Sequence, residues 1–224
     1  MVKQIKAQKP NCKLIVGGAG FSIFAEEIMK ENAEIDFGVL SEGENSFHSL
    51  LTAGEHAEKI PNIIYRKNGK TITTEKKSVN FESLPFPSRD LFEVKKYNNA
   101  SYSIGVQSKR GCPFNCVFCS KRIQGGGSCK LRSPKNVVDE IETLVNDFGA
   151  RSFFFVDSTF NFPVEHCREI CEEIIKRKLQ LRWSADFRPD YLNENIVRSF
   201  VKAGCTWFGF SPNPQFGQAA GAWN

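Results

Sequence analysis

The sequence predicts an α/β protein in two units, and three observations carry that prediction. Short apolar runs alternate with segments of helical period, the pattern of parallel strands joined by crossover helices. A stretch holding two prolines, Ser83 to Asp90, interrupts the alternation once. The 224 residues, 41% hydrophobic and 25% charged, suffice for one large core or two small ones and exclude a disordered or fibrous chain.

Taken in order, Lys13 to Gly18 reads as a short buried strand ending in two glycines, followed by a helical pattern from Ser22 to Glu31. A second strand, Ile35 to Leu40, precedes the turn Ser41-Glu42-Gly43-Glu44 and a helix to about Ala53. Strand and helix at this spacing imply parallel pairing, but two strands are too few for an open sheet. Residues 1–58 are therefore expected to be the second half of a doubly wound domain whose first half is not in the chain. Ile60–Arg66 and Lys70–Glu75 flank Asn68-Gly69, a hairpin signal. With the proline stretch, the hairpin makes 59–100 a connecting segment. Strands follow at Ser101–Gln107, Ser152–Val156, Leu181–Asp186 and Cys205–Phe210, with helices at Pro134–Phe148, Pro163–Lys178 and Leu192–Ala203 between them. Ser133 and Pro134 suit the cap and first helical position. The tail 212–224 has no periodicity and is expected to be irregular, so the chain reads as truncated at both ends.

No run of 18 apolar residues exists, and the lysines at 3, 6, 9 and 13 stand in no apolar stretch, which argues against a signal peptide or membrane span and for a cytoplasmic protein. The net charge of +5 comes from dispersed basic clusters without an arginine stripe, so no specific nucleic-acid signal is present. Of eight cysteines, Cys12, Cys129, Cys167, Cys171 and Cys205 are scattered, and Cys112, Cys116 and Cys119 fall within eight residues. Thiols in a reducing compartment point to a metal or cofactor site rather than to disulfides.

The segment Cys112-Pro113-Phe114-Asn115-Cys116-Val117-Phe118-Cys119 is a loop directly after a predicted strand. Thiolates ligate iron–sulfur clusters. Three ligands would leave one iron of a four-iron cubane open to a substrate or cofactor. A zinc site is the alternative, and it needs a fourth Cys or His; Cys129 lies ten residues on and no histidine is close. Chance core cysteines explain the cluster less well, because Gly111, Pro113 and Asn115 make the segment a loop.

A Cys-x3-Cys-x2-Cys loop after the first strand of an α/β barrel, with an aromatic residue before the third cysteine, resembles the radical S-adenosylmethionine superfamily. Gly17-Gly18, Ser41-Glu42-Gly43-Glu44 and Leu84-Pro85-Phe86-Pro87-Ser88-Arg89-Asp90 are similar to its branch with an N-terminal cobalamin-binding domain. The resemblance implies a partial (β/α) barrel over 101–211, about four of six strands, preceded by the C-terminal half of a Rossmann-like cobalamin-binding domain. It implies a 4Fe-4S cluster on Cys112, Cys116 and Cys119, with S-adenosylmethionine chelating the open iron and Phe118 beside it. Cobalamin is the branch's further cofactor, with Gly17 and Gly18 approaching its nucleotide tail; a tight turn is the plainer account of those glycines. The Asp-x-His-x-x-Gly cobalt-ligand motif is absent, as in many members of the branch, and His48, His56 and His166 lie in other contexts.

Barrel sites form at the C-terminal ends of strands, which nominates Asp157, Ser158, Ser184, Asp186, Arg188 and Ser211 for cofactor binding. In the family the end of the second strand meets the amino group of S-adenosylmethionine, and Asp157 or Ser158 holds that place. The alternative for Asp157 is a cap for the helix at Pro163. Arg188 is the candidate partner of the cofactor carboxylate, or else a surface arginine. Cys167 and Cys171 are read as helix core, and Cys129 and Cys205 as packing residues. The expected function is cobalamin-dependent methyl transfer or a related radical modification, with flavodoxin or ferredoxin as electron donor. The rivals are a radical enzyme without cobalamin, similar to methylthiotransferases, and a zinc-binding or inactive structural fragment.

Overall fold

The computed structural model describes residues 1–52, 56–97, 104–116, 119–121 and 127–210. They form two units, one built on 1–80 with 120–121 and the other on 81–119 and 127–210. In the first, strands β1 (Ile15–Val16), β2 (Phe37–Val39), β3 (Ile63–Lys67) and β4 (Lys70–Thr73) lie in sequence order in one sheet. β1 and β2 are parallel, with Ile15 opposite Phe37, and helices Ala19–Ile23 and Ala25–Glu31 make the crossover. β3 and β4 form the expected hairpin, with Asn68 at φ 52° and Gly69 at φ 75°. The hairpin does not stand apart: β3 pairs antiparallel with β2 and brings to four a sheet whose parallel pair alone is too small. Its apolar residues divide between two cores, Ile64 with Phe21, Ala25, Met29, Ile35 and Leu40, and Ile63 and Tyr65 with Val39, Ala57 and Ile60.

A helix at Val2–Gln8 was not expected. Its sequence buries no residue, so it carries no apolar stripe to betray it; Lys6 anchors it by donating to the Cys12 carbonyl at 2.7 Å and to Asp36 at 3.0 Å.

In the second unit β5 (Gly105–Val106), β8 (Ser152–Phe155), β9 (Arg182–Phe187) and β10 (Cys205–Phe210) make a fully parallel sheet in the order β10-β9-β8-β5. Helices Pro134–Asn146, Val164–Lys176 and Glu194–Lys202 alternate with these strands. This is the partial α/β barrel architecture the sequence predicts. Ser133 accepts the Asn136 N–H and Asn193 the Ile196 N–H, so two of these helices start on side-chain caps. The helix-facing side of the sheet is aromatic: the Phe155 ring stacks on Phe160 at 4.4 Å, with Trp183, Phe187 and Phe200 around them. Register and alternation put Gly105, Phe154, Ser184 and Trp207 in one row across the other face, with Asp186 opposite Gly209 one step further.

The proline stretch folds with this unit. Residues Phe81–Ser83 and Arg89–Leu91 form 3₁₀ turns, and Val94 joins the core. Between β5 and β8, where the sequence suggests only a loop, β6 (Lys109–Arg110) and β7 (Lys130–Leu131) pair as an antiparallel ribbon. Two-residue strands are too short to show period-two alternation.

Candidate active site

The β6–β7 ribbon is the neck from which the cysteine loop projects. Asp157, just past β8, grips its leading stem: its carboxylate accepts the Ser108 N–H at 2.9 Å, the Ser108 hydroxyl at 2.5 Å and the Lys109 N–H at 3.2 Å. Lys109 returns the grip. Its Nζ donates to the carbonyls of Phe160 at 2.6 Å and Phe162 at 2.8 Å, and lies 4.0 Å from Asp157, with the two side chains 1% and 0% exposed. Burial pushes the Asp157 carboxyl up and the Lys109 ammonium down, each opposed by the charge of the other.

The trailing stem is held by a second network. Arg132 donates to Glu140 at 2.5 Å, to the Gln107 carbonyl at 2.8 Å and to Asn136 Oδ1 at 2.7 Å. Arg89 adds bonds to Glu140 at 2.8 Å and to the Gly105 carbonyl at 2.6 Å. The His166 Nε2 lies 2.7 Å from the Arg132 carbonyl, which a ring N–H satisfies as donor. Arg110 and Arg132 also lie over the ring of Phe81, at 4.3 and 5.8 Å.

Cys112 is buried, Cys116 half-buried and Cys119 exposed; all three are free thiols, and the Cys119 N–H closes a turn onto the Cys116 carbonyl at 3.1 Å. Burial pushes the Cys112 thiol up and the neighbouring Cys116 and Cys119 add to this, while the Phe114 N–H and Arg188 oppose it. Arg188 faces the loop: Nη1 lies 3.8 Å from Cys116 Sγ, the guanidinium sits 4.0 Å over the Phe114 ring, and Nη2 donates to Asp190 at 2.7 Å. Asn161 fixes the Arg188 backbone on both sides, accepting its N–H and donating to its carbonyl. Among the described residues no three His, Cys, Asp or Glu side chains are gathered as a metal site. The donor set still fits an iron–sulfur cluster: three reduced thiols in one loop, with a guanidinium placed to balance thiolate charge.

The other predicted residues divide. Ser158 is half-buried beside Asp157. Asp157 itself is turned inward with both oxygens engaged, so it presents no free carboxylate to an ammonium group, and the following helix is capped by Pro163 without any side chain. Ser184 is buried, and its Oγ has no hydrogen-bond partner among the described residues. Phe118 and Ser211 lie outside the described residues. Cys167 and Cys171 are core, and Cys205 is buried with its thiol pushed up to about 12 by burial. Cys129, read as packing, sits at the foot of the cysteine loop, 3.8 Å from the Gly111 carbonyl. Lys109, Arg132 and Glu140 escaped the sequence reading because charged residues in isolation read as solvated surface.

In the first unit Gly17 and Gly18 line a cavity of 460 Å³ with Val39, Ser41 and Phe47, at the C-terminal ends of the parallel pair β1 and β2. Gly18 has φ 96° and precedes the helix at Ala19, so the conformation there requires glycine. Crevices at such strand ends are where open α/β sheets bind ligands.

Residues 106–213 match the Radical SAM superfamily. An uncharacterized methyltransferase of Pyrococcus horikoshii is 31% identical over 217 residues, a match that covers 93% of this chain and 47% of that protein. The chain therefore spans less than half the length of this curated relative. Among solved structures, the radical S-adenosylmethionine methyltransferase TsrM of Kitasatospora setae superposes with a TM-score of 0.77 at 19% identity, covering 94% of this chain and 43% of that one. TsrM has also been solved with cobalamin and a [4Fe-4S] cluster bound. The cobalamin-dependent S-adenosylmethionine radical enzyme OxsB, with aqua-cobalamin and S-adenosylmethionine bound, superposes at 0.74 with 18% identity, covering 100% of this chain and 35% of that one.

Proposed function

From a chain whose residues 106–213 belong to the radical S-adenosylmethionine superfamily, we propose an enzyme that carries a 4Fe-4S cluster on Cys112, Cys116 and Cys119 and catalyses cobalamin-dependent methyl transfer or a related radical modification. The observation that carries this reading is the free-thiol loop itself, projecting from a gripped neck beside a parallel sheet of the TsrM and OxsB fold. When bound, the cluster supplies one electron to the sulfonium of S-adenosylmethionine, and cobalamin supplies a methyl carrier.

The chain's own residues prepare that site. As thiolates, Cys112, Cys116 and Cys119 would be the protein's ligands to the cluster. Arg188, stacked on Phe114 and oriented by Asp190, sets a positive charge against Cys116 and is the candidate partner for the cofactor carboxylate. Ser158, just past β8, and Ser184, buried within β9, are the proposed hydroxyl donors, and Phe118 and Ser211, outside the described residues, complete the proposed set. The cavity at Gly17 and Gly18 would take the nucleotide tail of cobalamin. A reduced flavodoxin or ferredoxin in a reducing compartment would supply the electron. No helix among the described residues is long and apolar enough to cross a membrane.

Anaerobic reconstitution with iron, sulfide and hydroxocobalamin tests the reading. It predicts about four irons, four sulfides and one corrinoid per chain. One zinc and no sulfide would contradict it; a cluster without corrinoid would favour a radical enzyme that works without cobalamin.

A further inference from the structure

We propose that Asp157 is a positioning residue for the cluster, fixing the leading stem of the cysteine loop through Ser108 and Lys109, and is not a contact of S-adenosylmethionine. The inference rests on the cluster assignment above. Its warrant is a pair of crossed tethers between two short segments. From 157 the carboxylate takes two backbone N–H groups and one hydroxyl of residues 108 and 109. From 109 the ammonium takes two carbonyls of residues 160 and 162. The first thiol, Cys112, follows three residues after Lys109. Five hydrogen bonds therefore tie the segment leaving β8 to the start of the cysteine loop.

Nothing remains on Asp157 for a ligand, because the side chain is 0% exposed and its acceptor capacity faces the protein. Removing the charge would leave buried donors short of an acceptor and Lys109 without its counter-charge, and the neck would lose its set position. Direct partners of metal ligands typically change metal affinity by 10–100-fold, and Asp157, which reaches Cys112 only through the chain at Ser108 and Lys109, is expected at the low end of that range.

The test uses the full chain as wild type, Asp157→Asn and Ser108→Ala. Each is titrated anaerobically with ferrous iron and sulfide. Iron per chain, the reduced-cluster paramagnetic resonance spectrum with and without S-adenosylmethionine, and the cluster midpoint potential are read, with circular dichroism as a check on folding. The expected result is that Asp157→Asn needs roughly 10-fold more iron for half-loading and shifts the potential. Ser108→Ala does the same to a smaller degree, and the spectral response to S-adenosylmethionine survives in every loaded molecule. Should Asp157→Asn fail to fold, Ser108→Ala decides, since it removes one hydrogen bond and no charge; loading and potential equal to wild type would overturn the proposal. Wild-type loading in Asp157→Asn with loss of only the response to S-adenosylmethionine would also overturn it, by making Asp157 a cofactor contact. A wild-type chain that takes up no cluster overturns the functional reading itself, and the proposal with it.

Discussion

Arg132 Nη1 stands 2.5 Å from Glu140 Oε2, and the other oxygen of the same carboxylate receives Arg89 at 2.8 Å. One buried carboxylate thus ties the proline segment to the trailing stem of the cysteine loop. Glu140→Ala would leave two guanidinium groups uncompensated in the interior, and removing one member of a buried ion pair costs ~3–5 kcal/mol. Urea denaturation of the apoprotein should show a loss in that range. A loss under about 1 kcal/mol, the scale of exposed pairs, would mean the network contributes little.

Alanine at Cys112, Cys116 or Cys119 should each abolish the reconstituted cluster, whereas Cys167→Ala should retain it. Cys167 is fully buried on the helix Val164–Lys176, donates to the Val164 carbonyl at 3.0 Å and has its thiol pushed up to about 11 by burial. Sulfide and iron counts check this. Loss of the cluster in Cys167→Ala with retention in Cys116→Ala would reverse the ligand assignment.

Stability should fall with acid through His166. Burial holds its imidazole below the ordinary value of 6.5, Nε2 meets the Arg132 carbonyl, and Nδ1 is buried without a hydrogen-bond partner among the described residues. Below 6.5 the unfolded chain takes up a proton that the folded chain refuses, so the His166 contribution is present above that pH and is lost as pH falls toward the depressed folded value. Melting temperatures at pH 7.5, 6.5 and 5.5 (pH values chosen to bracket about 6.5) should decline, and His166→Gln should flatten that decline. An unchanged slope in the variant would remove His166 as the cause.

Filling the first unit's cavity should separate cofactor binding from folding. A Cβ on Gly17 would meet only the Val39 carbonyl at 3.4 Å and Val39 Cβ at 3.6 Å. Gly17→Leu should therefore melt close to wild type yet retain corrinoid roughly tenfold less tightly, about 1.4 kcal/mol. Visible absorbance after gel filtration reads the retention. Unchanged retention would place cobalamin elsewhere.

Where the sequence was legible, a strong local signal matched the tertiary outcome. The four parallel strands of the second unit lie where short strand signals stand in the sequence, and Ser133-Pro134 marks a helix start, because strand and cap signals are written within a few residues. The thiol spacing made the loop stand out for the same reason. What stayed hidden depends on partners far along the chain. The β6–β7 ribbon is too short to alternate, and the hairpin's pairing with β2 is a register no local pattern encodes. The inward turn of Asp157 is set by Ser108 and Lys109, 49 and 48 residues away. Lys109 and Glu140 are charged residues made interior by partners that the sequence does not place beside them.

The most direct measurement is paramagnetic resonance of the anaerobically reconstituted, dithionite-reduced chain, recorded before and after adding S-adenosylmethionine. A 4Fe-4S signal whose g-values shift on addition is the predicted result, since three cysteines leave one iron for the cofactor. A cluster signal indifferent to S-adenosylmethionine, or no cluster at all, would contradict the assignment of this loop.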